Sequence, residues 1–192
     1  MSYLILGLII FLGVHSVRIV ADGWRTRTLS RIGEMPWKGL YSLVSLIGFA
    51  LLVWGFGLAR QQPVQLWSPP IAMRHLAALL TLLSFLLLAA AYVPGNSIKA
   101  ALHHPMVLGV KVWALAHLLA NGNLAHVLLF GSFLLWAVLD FTAARRRDRA
   151  AGTAYPRGRA GATAITVIVG LVGWLVFALW LHGWLIGVRP LG

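Results

Sequence analysis

Two histidines stand inside apolar segments of this chain, His15 in the first and His117 in the fourth. An imidazole in hydrocarbon needs a partner helix, water or a bound group, because its desolvated nitrogens are costly unless satisfied. On helical geometry, Phe11 and Leu8 share the N-terminal side of His15, and Arg18 and Asp22 its C-terminal side. Trp113 and Asn121 flank His117 at four residues either way. Two such histidines on different helices have the chemistry to hold a haem iron from opposite faces, each giving one nitrogen to iron and the other to a hydrogen bond. Arg18, Arg74 and Lys111 are the cations that propionates would seek. Spacing alone does not choose haem over a quinone or a carotenoid. On straight helices His15 falls in the cytoplasmic third and His117 toward the far end of a short helix, so a shared group requires tilted or offset helices.

The remaining chemistry is sparse. There is no cysteine, which removes disulfides, thiolate nucleophiles and iron–sulfur clusters. The four acids, Asp22, Glu34, Asp140 and Asp148, all fall near expected cytoplasmic helix ends, which leaves paired-carboxylate catalysis a peripheral role at most. No nucleotide loop or nucleophile elbow occurs. His75 and His126 lie near His117 in expected depth, so a three-histidine metal site is a further alternative, without the carboxylate of the facial iron arrangement. His103 and His104 precede Pro105, reading as a polar helix start. Lys111 shares nearly one face with His104 and must snorkel, pair or line a hydrated cavity. His182 reads as interfacial.

The elements that must position these groups follow from composition. Of 192 residues, 60% are hydrophobic and 10% charged, with a formal net charge of +12. A soluble domain would carry nearer a quarter charged residues. The basic residues cluster between apolar segments, which argues against a nucleic-acid surface and for membrane loops. Residues 3–20, 39–59, 72–92, 124–141 and 162–186 are each expected to span a membrane, and 105–120 is a shorter sixth span. Twelve basic residues then fall on one side and three on the other, so the positive-inside rule puts both termini outside the cytoplasm. The expectation is an all-α polytopic bundle of six transmembrane helices forming a single domain over residues 1–192.

Residues 21–38, 60–71 and 142–161 are expected as interruptions. Gly7 and Gly13, Gly55 and Gly57, and Gly170 and Gly173 are candidates for close helix approach. Trp37, Trp67, Trp180 and Trp184 are expected at boundaries, and Trp54, Trp113, Trp136 and Trp174 in interior packing.

Longer words in the sequence are more specific. They are Gly13-Val-His15-Ser16-x-Arg18, Leu40-Tyr-Ser-Leu-Val-Ser-Leu-x-Gly48-Phe, His104-Pro-Met-x-x-Gly-Val-Lys111-x-Trp-Ala-x-Ala-His117-Leu-Leu-Ala-Asn-Gly122, and Leu129-Phe-Gly-Ser-Phe-Leu. Through these the chain resembles the NnrU family of bacterial membrane proteins, which is associated with denitrification and nitric-oxide metabolism and is similar to 15-cis-zeta-carotene isomerase, a haem b enzyme. The resemblance implies haem b, ligated by His15 and His117, with Arg18, His104, Lys111 and Trp113 around the cofactor. It also matches His75 to a shared histidine position, while an additional isomerase histidine has no counterpart near Arg60. The implied role is support of nitrogen-oxide metabolism in the bacterial inner membrane, by redox or gas-ligand chemistry. Alternatives are haem-dependent isomerisation of a polyene and non-enzymatic assembly of a respiratory enzyme. The implied partners are membrane lipid, a nitric-oxide reductase or other respiratory component, and a hydrophobic polyene. Nucleic acid is not among them, and self-association is left open.

Overall fold

A computed structural model describes residues 1–191. Among them the fold is helical, with one isolated antiparallel bridge, Gln65 to Asn123, in place of any sheet. Five helical stretches are long and apolar enough to cross a membrane, and a shorter apolar helix, Pro105–Ala120, accompanies them. The protein is therefore a polytopic helical membrane protein. Leu46, Leu79, Ile168 and Trp184, all exposed, are suited to lipid rather than water.

The chain forms two compact units, residues 1–68 with 122–143, and residues 69–121 with the chain from 144 onward. In the first, α1 (Ser2–Val20) and α3 (Glu34–Ala59) pack antiparallel through glycines. A Cβ at Gly7 would meet the backbone of Leu52, one at Gly48 the backbone of Phe11, and one at Gly55 the backbone of Leu4. Lipid is as apolar as leucine, so helices in a membrane gain by backbone proximity and van der Waals contact rather than by burying oil from water. Gly13 and Gly57 meet nothing, so one member of each expected pair makes the contact and Gly48 supplies the third. Trp54, expected inside, is 54% exposed and lies tilted against Tyr3 at 4.5 Å between ring centroids. It sits on the side of α3 that the glycine seam leaves outward. Residues 64–67 run along 122–124, with Leu66 N–H donating to Gly122 at 2.8 Å and Leu124 N–H to Val64 at 2.9 Å.

Residues 21–38 are not an open interruption. They form α2 (Asp22–Ile32) and the first turn of α3, separated by Gly33 at φ 86°, a backbone value natural to glycine. Asp22 in the first turn and Arg31 in the last match the helix dipole, which favours a helix that hydropathy alone does not reveal. Similarly, α7 (Leu124–Ala151) continues ten residues past the expected end at Phe141. The apolar run stops there, but Ala and Arg are strong helix formers, so the helix does not.

The second unit contains α4 (Ile71–Tyr92), α5 (Ser97–Leu102), α6 (Pro105–Ala120), the end of α7, α8 (Ala160–Val176), a π segment Phe177–Leu181 and α9 (His182–Ile186). Helix α4 packs against both α6 and α8. Buried Ser84 donates to the Gly109 carbonyl at 2.8 Å, and Trp174 Nε1 donates to Thr81 Oγ1 at 3.1 Å. Gly170 lies against the backbone of Leu86, while Gly173 touches only the Phe85 ring. The turn before α5 is built on buried Asn96, which accepts from Lys99 N–H at 2.7 Å as a helix cap and donates to the Ala90 carbonyl at 2.9 Å.

Candidate functional site

His15 belongs to the first unit. Its Nδ1 lies 2.6 Å from the Phe11 carbonyl. A carbonyl only accepts, so Nδ1 is the donor of this bond and Nε2 is the ring nitrogen left for another partner. Phe11 stacks on the imidazole at 4.2 Å, Tyr41 tilts against it at 5.2 Å, and Trp136 meets it edge-on at 6.1 Å. Arg18, one turn on, has Nε 3.9 Å from Asp22 Oδ1.

His117 belongs to the second unit and repeats the same local design. Its Nδ1 lies 2.8 Å from the Trp113 carbonyl, the Trp113 ring is tilted against it at 5.3 Å, and Asn121 donates to the His117 carbonyl at 2.9 Å. Each histidine thus donates Nδ1–H to the carbonyl four residues earlier. Metal-ligating histidines characteristically make such a bond, because it fixes ring and tautomer and presents Nε2 to the metal. Taken singly, each imidazole therefore has the Nδ1–H bond that a metal-ligating histidine uses. Lys111 is half-buried on α6, one and a half turns before His117.

The other histidines are occupied differently. His126 Nδ1 is 2.5 Å from Asn123 Oδ1, which also caps α7 by accepting the His126 N–H at 3.1 Å, and its ring meets Phe56 and Phe130. His182 Nδ1 donates to the Val188 carbonyl at 2.7 Å, consistent with a helix-end position. Among the described residues no three histidine, cysteine or acidic side chains are grouped to hold a metal ion.

His104, which the resemblance places around the cofactor, meets a carboxylate of α7. It caps α6 ahead of Pro105, and its Nε2 lies 2.6 Å from Asp148 Oδ2. The same carboxylate oxygen accepts from the Tyr155 hydroxyl at 2.7 Å and lies 3.9 Å from Arg145 Nη1. Burial, then the hydrogen bond to Asp148 and its charge, push the Tyr155 phenol up to about 12. His103 completes the cluster. Its φ is +69° and the His104 N–H donates to the Leu102 carbonyl at 2.8 Å, which defines the strained positive-φ form of the γ-turn. Its ring stacks on Tyr155 at 3.9 Å and 5°, and its Nδ1 is buried with no hydrogen-bond partner among the described residues. Sequence reasoning assigned Asp148 no partner and left Tyr155 out. The available signal was the adjacent His103-His104-Pro105, but its partners lie 44 and more residues away.

A family model described as NnrU protein matches residues 3–190. The chain belongs to the NnrU family. That match covers nearly all of the chain, including both α1 with His15 and the α6 block from His104 to His117, so the NnrU membership rests on the whole helical set. No curated protein and no solved structure matches this NnrU chain.

Proposed function

We propose that this NnrU protein binds haem b in the bacterial inner membrane through His15 and His117, and supports denitrification or nitric-oxide metabolism through redox or gas-ligand chemistry. One observation carries the reading: both intramembrane histidines donate Nδ1–H to the carbonyl four residues earlier, which presents Nε2 for ligation. Bound haem would supply one-electron redox chemistry and gas-ligand chemistry. The chain's own residues do the rest. Phe11, Tyr41 and Trp136 fix the His15 ring, Trp113 fixes that of His117, and Arg18 and Lys111 offer positive charge to propionates.

The test is the absorption spectrum of full-length protein purified from haem-replete cells. A Soret band with a low-spin signature that is lost in His15→Ala and His117→Ala is the expected result. No Soret band in the unaltered protein sinks the ligation claim. For the physiological role, a deletion strain is expected to show impaired nitric-oxide turnover. Normal assembly and activity of its nitric-oxide reductase, with unchanged nitric-oxide turnover, would remove the support role.

A further inference from the structure

Between the end of α1 and the first turns of α3 stand five basic residues, Arg18, Arg25, Arg27, Arg31 and Lys38, against two acids, Asp22 and Glu34. Both acids are engaged. Asp22 Oδ1 lies 3.9 Å from Arg18 and 3.9 Å from Arg25, and Glu34 lies 2.6 Å from Lys38. Arg27 and Arg31 therefore have no carboxylate among the described residues. Four residues apart on α2, they share one exposed face, where like charges repel.

Beside them is an apolar surface. Trp24, three residues before Arg27, is 51% exposed and meets Trp37 edge-on at 5.8 Å between centroids. Val20, Ile32 and Met35 are also exposed. Because α2 is joined directly to spanning helices at both ends, it is held at the membrane boundary rather than in open water. A short helix with an indole pair, apolar neighbours and two uncompensated guanidiniums in that layer fits a ligand with an anionic head and an apolar body. Arginine bonds phosphate through two parallel N–H groups, and an anion between Arg27 and Arg31 relieves their mutual repulsion.

We propose that Arg27 and Arg31 hold the phosphodiester headgroup of an anionic phospholipid, with Trp24 and Trp37 packed beside its glycerol and upper acyl chains. The assignment does not depend on the haem reading, since it uses none of the same side chains.

The test uses the full chain in nanodiscs containing equal phosphatidylglycerol and phosphatidylcholine, with retained lipids counted by native mass spectrometry. The unaltered protein is expected to retain phosphatidylglycerol in preference. Arg27→Gln with Arg31→Gln should weaken that preference about tenfold or more, since each basic residue near an anionic surface contributes roughly a fivefold factor. Arg146→Gln with Arg149→Gln removes the same charge from the end of α7 and should leave the preference largely intact. Equal retention of the two lipids by the unaltered protein overturns the site, as does an equal loss in both double variants. Release of the lipid by millimolar inorganic phosphate also overturns it, because that outcome marks a generic anion site.

Discussion

His104 Nε2 and Asp148 Oδ2 meet at 2.6 Å although 44 residues separate them, so the start of α6 is tied to the end of α7. Asp148 also anchors Tyr155, whose ring carries the stack with His103. Removing the carboxylate takes a partner from two groups at once. Asp148→Ala is therefore expected to lower the thermal midpoint by a few degrees, roughly 2–6 °C. The His104→Ala and Asp148→Ala double variant should fall by less than the sum of the single changes, because they share one interaction. Additive losses in a detergent melt would show that the pair is not coupled.

The Tyr155 phenol has its folded-state value raised from 10.0 to about 12. A raised value means that the folded state holds its proton more tightly. The corresponding stability is present in full below pH 10 and is lost as pH rises through about 12. In a spectroscopic titration, the tyrosine signal missing from Tyr155→Phe should be the late-titrating one. With Asp148→Asn it should move down only part of the way, since burial is the largest cause and remains.

At His103 two effects oppose each other. The positive φ is strained by about 1–3 kcal/mol, while the stack on Tyr155 contributes roughly 0.5–1.5 kcal/mol. His103→Ala keeps the strain and loses the stack, and His103→Gly loses both. The glycine variant should thus be more stable than the alanine variant by about 1–2 kcal/mol. A comparison of their unfolding midpoints checks the γ-turn directly, and the reverse order would falsify it.

The α1–α3 seam separates glycines that matter from those that do not. Gly7→Ala places a methyl group against the Leu52 backbone, which cannot move aside as a side chain can. A loss of about 1–3 kcal/mol is expected from overpacking. Gly13→Ala meets open space and should be neutral or slightly stabilising, because alanine is the better helix former. Equal melting behaviour of the two variants would contradict the packing.

The sequence by itself determined the solvent, the spans and the family words. Apolar length and clustered charge are properties of consecutive residues, so α1, α4 and α6 were legible nearly to the residue. Phe11 beside His15 and Trp113 beside His117 were legible for the same reason, each one turn away on the same helix, whereas the bond of each imidazole to its own helix's carbonyl and the approach of Tyr41 and Trp136 to His15 were not. Hydropathy missed α2 and the end of α7 because helix propensity outlasts apolarity there. Only the tertiary structure decided which glycines touch a neighbouring backbone, that His104 serves Asp148, and that His103 turns at positive φ beneath Tyr155. Those facts depend on partners far along the chain. No local period encodes where a carboxylate 44 residues away will come to rest once the helices have packed.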